Sequence, residues 1–166
     1  MESMATITYI LRVISLSFLF GGSISIIVAA ITLVKAAQAN GIETHVAATA
    51  NAPMFITFST IVLVCGFLLL LAESVDYAVH RKLSKPLMIR YAASLLCAAT
   101  TMILFFAIVA PMKEMLGSIH ASEKSAATWE TFHKSSQIAY SVIILSALVS
   151  LILPAFQLKK IEKAES

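Results

Sequence analysis

Four charged residues interrupt the long apolar runs of this sequence, at positions where a charge is costly. They are Arg12 in the first run, Glu73 and Asp76 near the end of the second, and Arg90 at the start of the third. Charges inside a membrane span usually pair with one another and mark a candidate functional site. At 1.5 Å of rise per residue, Arg12 and Glu73 would lie about 10 Å inside their spans. We therefore expect an intramembrane charge cluster in which Arg12 pairs with Glu73, with Asp76 and Arg90 close by.

This cluster has two interpretations. The first is a structural set of ion pairs that pins three helices together, which is favoured because buried charges persist by pairing. The second is a proton or substrate pathway through the two acids. A transporter normally has a broken helix or a charge near the midplane of the bilayer. The middles of the apolar runs here are uncharged: Leu68–Leu71, Thr100–Phe106 and Ile143–Leu148.

A second group of acids and histidines lies between the apolar runs. Its members are Glu43, His45, Glu114, His120, Glu123, Glu130 and His133. Glu130 and His133 form a Glu-x-x-His motif, whose spacing puts both on one face of a helix. Di-iron sites in helical bundles use two such motifs and two further glutamates. With a single motif, a solvated loop is the favoured interpretation, and Glu130 and His133 remain candidate metal ligands.

The residue patterns required for metal-binding cysteines, for haem and for common catalytic sites are not found in the sequence. Cys65 and Cys97 both lie within apolar runs, where cysteine acts as a small hydrophobic side chain, and no Cys-x-x-Cys pair exists. None of the four histidines lies in the core of an apolar run, which argues against haem. No catalytic triad, phosphate loop or dinucleotide motif is found. We expect no cofactor, no catalytic residues and, with a dispersed net charge of +3, no nucleic-acid partner.

The elements that carry these residues are four apolar runs, at about residues 7–36, 53–79, 87–112 and 138–158. A helix needs about 20 apolar residues to cross the hydrocarbon core of a bilayer. Hydrophobic residues make up 59% of the chain and charged residues only 13%. The sequence thus predicts an all-α protein, one four-helix transmembrane bundle formed by residues 1–166.

Basic residues beside the runs predict the orientation of the bundle, because Lys and Arg concentrate on the cytoplasmic side. One group separates the second and third runs, and another forms the C-terminal tail: Arg81, Lys82, Lys85, Lys159, Lys160 and Lys163. Both termini are therefore expected in the cytoplasm of a bacterial inner membrane or its equivalent. The segments at about 40–51 and 113–134 are expected on the opposite side.

Small residues recur every four positions in the first run, at Ser17, Gly21, Ser25 and Ala29. Helices in lipid associate by close backbone approach across such stripes. We call these four residues the small-residue stripe, and we expect other helices to dock on it.

Five short motifs resemble the small four-helix membrane family of unknown function related to transmembrane protein 205. They are Phe20–Gly22, Pro53–Phe55, Val64–Gly66, Ala110–Met112 and Phe132–Ser135. The resemblance extends over nearly the whole chain. It implies a four-helix membrane protein with no assigned chemistry.

A second resemblance is to the anthrone-oxygenase-like membrane proteins. It rests on Pro111 at the end of the third run and on a Trp-x-x-x-His approach to the fourth, Trp129–His133. This resemblance implies a cofactor-independent oxygenase in which His133 is the residue carried over. The first run lacks the basic or histidine-containing end that such an oxygenase would have.

Three functions are compatible with these observations. The leading one is a non-enzymatic subunit or assembly factor of a larger membrane complex, which acts through its helix faces on a membrane-protein partner or on a second copy. The second is a small proton- or ion-coupled permease that uses Glu73 and Asp76. The third is a membrane oxygenase or metal-dependent enzyme centred on His133.

Overall fold

The computed structural model describes the backbone of residues 2–79, 84–117 and 122–165, and the side chains of 5–44, 46–79, 84–117 and 122–154. Every regular element in these ranges is a helix. In chain order they are α1 at residues 2–39, α2 at Thr44–Ala50, α3 at Ala52–Val79, α4 at residues 85–115 and α5 at Glu123–Glu165.

Helices α1, α3, α4 and α5 are each long and apolar enough to cross a membrane. Large apolar side chains cover the outside of all four. Ile7, Leu71, Phe106 and Leu145 are 57–63% exposed. Such a surface is stable in hydrocarbon and costly in water. The chain is thus an all-α, multi-pass membrane protein, as the apolar runs predicted.

Helix α1 is α-helical at Glu2–Ser17 and Ser23–Ala39, with one π-helical turn, Phe18–Gly22, between them. It ends at Gly41, whose φ of 79° is the left-handed conformation that glycine adopts without strain. The N–H of Gly41 donates to the carbonyl of Gln38, and that of Ile42 donates to the carbonyl of Ala37. This pair of hydrogen bonds is a Schellman motif, which reverses the chain toward α2.

Helix α4 also contains a π-helical turn, Leu104–Val109, between Lys85–Ile103 and Ala110–Met115. The turn comes directly before Pro111. A proline inside a helix lacks an N–H and clashes with the carbonyl four residues earlier, and a wider turn relieves both problems. Pro111 therefore lies within α4, which continues for four residues beyond it.

Helix α5 is much longer than the predicted span of 138–158. It begins at Glu123, where the Ser122 hydroxyl accepts a hydrogen bond from the N–H of Ser125 at 3.1 Å. Ser122 is therefore the N-cap of α5. Pro154, expected near the end of the span, lies inside a helix that continues to Glu165.

Neighbouring helices pack in chain order, α1 on α3, α3 on α4 and α4 on α5, and α5 returns to contact α1. The bundle is closed by this last contact. Its core contains fully buried side chains from all four helices, among them Leu16, Leu69, Leu104 and Ile143.

Two glycines allow the closest approaches between helices. A Cβ added to Gly66 of α3 would overlap the hydroxyl of Thr101 on α4 and lie 3.1 Å from its Cβ. A Cβ added to Gly22 of α1 would lie 2.9 Å from the ring of Phe58 on α3. Small residues thus set the spacing of α3 against both of its neighbours.

Candidate functional site

The charge cluster forms at one end of the bundle, which we call the cluster end. The first half of α1 supplies Arg12, the last turns of α3 supply Glu73 and Asp76, and the first turns of α4 supply Arg90. Arg12, Glu73 and Arg90 are each 7–8% exposed. The fold therefore brings together all four residues that the apolar runs singled out.

Arg90 is the centre of the cluster. Its Nη2 donates to Glu73 Oε2 at 2.9 Å and also to Asp76 Oδ2. Arg12 reaches the same Asp76 oxygen from α1, with Nη1 at 3.8 Å. The pairing thus differs from the predicted one, because Glu73 pairs with Arg90 and Arg12 with Asp76. Two arginines and two acids balance one another, which is how buried charges are tolerated.

A pair of serines extends the cluster to the fourth transmembrane helix. The Ser94 hydroxyl donates to Glu73 Oε1 at 2.8 Å and lies 2.6 Å from the hydroxyl of Ser150 on α5. Because the single Ser94 proton goes to Glu73, Ser150 is the donor in the serine pair. Both serines are 1% exposed. The polar network therefore links α1, α3, α4 and α5.

Tyrosines close the outer side of the network. The Tyr91 hydroxyl donates to Asp76 Oδ2 at 2.9 Å, and the Arg90 guanidinium lies 4.6 Å from the centre of the Tyr91 ring. Arg12 lies 5.3 Å from the centre of the Tyr9 ring. Cation–π contacts of this kind favour a cation over an aromatic face.

Sequence reasoning missed Ser94 and Ser150. Ser94 had a usable signal, because it lies four residues after Arg90 and so shares its helix face. Ser150 had none, since its place in the network depends on how α5 is rotated against α4.

The candidate metal ligands lie at the opposite end of the bundle, which carries α2 and which we call the α2 end. Glu130 Oε1 pairs with Lys134 Nζ at 2.7 Å, and both side chains are at least 65% exposed. His133 Nε2 lies 3.1 Å from Gln137 Nε2. Among the described side chains, no three potential ligands come close enough to hold a metal ion. His120 and the side chain of His45 lie outside the described residues.

The small-residue stripe lies on the outer surface of α1, opposite its buried side. Ser17 and Ser25 are exposed, and a Cβ added to Gly21 would find nothing within 4 Å among the described residues. The buried side of α1 presents Leu16, Leu19 and Ser23 instead. The other helices of this chain therefore pack on the side of α1 opposite the small-residue stripe, and not on the stripe as predicted.

Comparison with known proteins gives one match. A family model described as a domain of unknown function, DUF4149, matches residues 14–121. No curated protein and no solved structure matches the chain. The matched region contains α2, α3, α4 and most of α1, so it includes Glu73, Asp76 and Arg90, and it ends before α5. Because it covers well over half of the 166 residues, the chain belongs to the DUF4149 family.

Proposed function

We propose that this protein is a non-enzymatic subunit or assembly factor of a membrane complex, and that a transmembrane helix of another protein docks on the small-residue stripe. The observation that carries the proposal is the open surface at Gly21, where a Cβ would meet no described atom within 4 Å. Small residues on an outer face leave room for a second backbone, which is how helices associate in lipid.

The surroundings of the stripe support docking. Phe18 and Val28 on the same helix are 53% and 57% exposed, so bulky side chains border the small ones. The Ser25 hydroxyl donates to the carbonyl of Gly21 at 2.8 Å. The Ser25 hydroxyl is therefore already hydrogen-bonded, and a partner would bind beside it by van der Waals packing.

The two other functions have less support. For a permease, Glu73 and Asp76 would have to exchange protons or ions, yet both carboxylates are held by Arg90. For a metal enzyme, Glu130 would have to leave Lys134. For an oxygenase, His133 would have to act without the basic or histidine-containing end missing from the first run. The resemblance to the family related to transmembrane protein 205 implies no assigned chemistry, which is compatible with the subunit function.

We also propose that both termini face the cytoplasm, in a bacterial inner membrane or its equivalent. Support comes from the basic residues at the cluster end, of which Lys85 is exposed at the start of α4. Arg81, Lys82 and the side chains of Lys159, Lys160 and Lys163 lie outside the described residues. In this orientation α2 and the first turns of α5 face the other compartment.

Photo-crosslinking in intact membranes tests the subunit proposal. A photo-reactive amino acid is incorporated at Ser25, and at Leu95 on α4 as a control that is 60% exposed. We expect one adduct from Ser25, heavier than the chain by the mass of a different protein, and none from Leu95. Gly21→Leu should lower the yield by about tenfold or more, which corresponds to about 1.4 kcal/mol.

Matched variants separate docking from folding. Gly21→Leu should not lower the melting temperature in detergent, because Gly21 has no described neighbour within 4 Å of a Cβ and leucine favours helix over glycine. Val28→Leu, on the exposed surface nearby, should keep both the melting temperature and the adduct. Equal labelling from Ser25 and Leu95, or an adduct of twice the chain's own mass, would contradict docking on a different protein.

A further inference from the structure

A large cavity lies at the α2 end of the bundle, far from the charge cluster. Its volume is about 810 Å³, and its walls come from α1, α2, α3, the end of α4 and the first half of α5. Pockets of about 300–1,000 Å³ are typical of small-molecule sites. This α2-end cavity is separate from the small-residue stripe, so a ligand bound there would give the protein a role beyond helix docking.

The lining of the cavity changes from polar to apolar along the helices. On α1, Lys35 and Gln38 line it near the helix end, and Ile27 lines it about two to three turns earlier. On α5, Trp129, Glu130 and His133 line the outer part of the cavity, and Tyr140 and Ser141 line it farther along the helix. At 1.5 Å per residue, the ten residues from Glu130 to Tyr140 span about 15 Å. The cavity therefore runs from the membrane surface into the hydrocarbon layer.

Flat and branched apolar side chains form the deep part. Phe55 of α3 contacts Tyr140 edge-on, with ring centres 6.1 Å apart. Ile56 of α3 and the buried Val109 and Met112 of α4 complete that part of the lining. Such a wall offers dispersion contacts to a hydrocarbon chain and few hydrogen bonds.

The polar rim is suited to a head group that accepts hydrogen bonds. The exposed Lys35 places an ammonium at the rim, and His133 and Gln137 add ring and amide nitrogens. Glu130 is the one acid in the lining, and Lys134 neutralises it at 2.7 Å. The rim thus favours an anionic or carbonyl-bearing group over a cationic one.

We propose that the α2-end cavity binds a long-chain acyl compound. Its hydrocarbon chain lies between Ile27, Phe55 and Tyr140, and its carboxyl or ester head lies at the rim near Lys35 and His133. The chain comes either from a free fatty acid or from a bilayer lipid whose acyl chain enters between α1 and α5. Both sources share the same chemistry, and the experiment distinguishes them.

The protein carries its own reporter for this test. The sequence has one tryptophan, Trp129, and that residue lines the cavity. The purified full chain is placed in nanodiscs of saturated phosphatidylcholine, and stearate brominated in mid-chain is added. Bromine quenches tryptophan fluorescence only at close range. Binding in the cavity predicts saturable quenching of Trp129.

A matched pair of variants on α2 locates the site without touching Trp129. Ala48 lines the cavity and Ala50 does not, and both are exposed. Ala48→Phe should fill part of the cavity and raise the stearate concentration at half-saturation by about tenfold or more. Ala50→Phe should leave that concentration unchanged. Gly21→Leu should also leave the half-saturation concentration unchanged. The quenching experiment therefore tests acyl-chain binding independently of helix docking.

Three outcomes decide the matter. Saturable quenching that unbrominated stearate reverses assigns the site to a free fatty acid. Saturable quenching by brominated phosphatidylcholine, lost in Ala48→Phe and not reversed by stearate, assigns it to a bilayer acyl chain. Quenching that rises linearly with bromine content, or that is equal in Ala48→Phe and Ala50→Phe, overturns the proposal.

Discussion

The two ends of the bundle differ in how their buried polar groups are paired. At the cluster end, Arg90 donates to both Glu73 and Asp76, Ser94 donates to Glu73, and Tyr91 donates to Asp76. At the α2 end, the Tyr140 hydroxyl is buried with no hydrogen-bond partner among the described residues, beside a cavity of about 810 Å³. The cluster end pairs its charges and leaves Arg90 Nε without a described partner, whereas the α2 end leaves a hydroxyl without one beside a large open space.

This difference suggests separate roles for the two ends of the bundle. In the network that links four helices, each charge is paired across a helix boundary, so rotating one helix would separate charges from their partners. An open end has no such constraint, and it can accept a ligand without breaking existing hydrogen bonds. We therefore expect the cluster end to hold the fold, and the acyl-chain proposal assigns ligand binding to the α2 end.

Removing the centre of the cluster should have the largest effect on stability. Arg90→Leu leaves Glu73 and Asp76 with Arg12 as the one other arginine among the described residues of the cluster, and a buried charge without its partner costs about 3–5 kcal/mol. We expect a loss of that size in the free energy of unfolding, measured in mixed micelles. The matched control is Lys134→Leu at the α2 end, whose ion pair with Glu130 is exposed. Its melting temperature should equal that of wild type, and equal effects of the two variants would contradict the comparison.

Two glycines provide the next test, because adding one methyl group should change stability in opposite directions. Gly66→Ala forces a Cβ against Thr101 and should destabilise the bundle by about 1–3 kcal/mol. Gly21→Ala adds a methyl group to open surface and should stabilise α1 by about 0.5–1 kcal/mol, since alanine favours helix over glycine. Thermal melts in detergent measure both. A stabilising Gly66→Ala would mean that α3 and α4 are farther apart than described.

Removing one of two tyrosine hydroxyls should give the smallest difference in the free energy of unfolding. Tyr91→Phe removes a hydrogen bond to Asp76 and should cost about 1 kcal/mol. Tyr140→Phe removes a buried hydroxyl that has no described partner, so it should be neutral or stabilising. The two variants make the same chemical change at opposite ends. If Tyr140→Phe proved the more harmful of the two, its hydroxyl would have a partner, and the α2 end would be as constrained as the cluster end.

Helix number and most helix ends could be predicted from the sequence, because about 20 consecutive apolar residues can satisfy their backbone in lipid only as a helix. The third run was predicted at 87–112 and its helix covers 85–115. The fourth apolar run was predicted at 138–158, and the helix that contains it begins earlier, at Glu123. The first turns of α5 carry polar residues. An apolar run indicates only the part of a helix that lies in the hydrocarbon layer, so it does not show where a longer helix begins.

The contacts within the site were harder to predict, for a physical reason. Depth follows from counting residues along a helix, so the meeting of Arg12, Glu73, Asp76 and Arg90 could be foreseen. Which arginine faces which acid depends on the rotation of each helix, which packing sets. The same difficulty affected α1, where both the stripe and the opposite face carry small residues, and the chain buries the face that contains Ser23 and Leu19.

A double-mutant cycle on Arg90 and Glu73 tests most directly the central claim that the cluster holds the fold. Arg90→Leu with Glu73→Leu removes one arginine and one acid together and leaves Arg12 with Asp76. We predict that the double variant unfolds with a smaller loss than the two single losses added, by about 2 kcal/mol or more. We also predict that the double variant still gives the Ser25 adduct. Additive losses would show that Arg90 and Glu73 do not stabilise each other, and a stable double variant without the adduct would show that the cluster serves function.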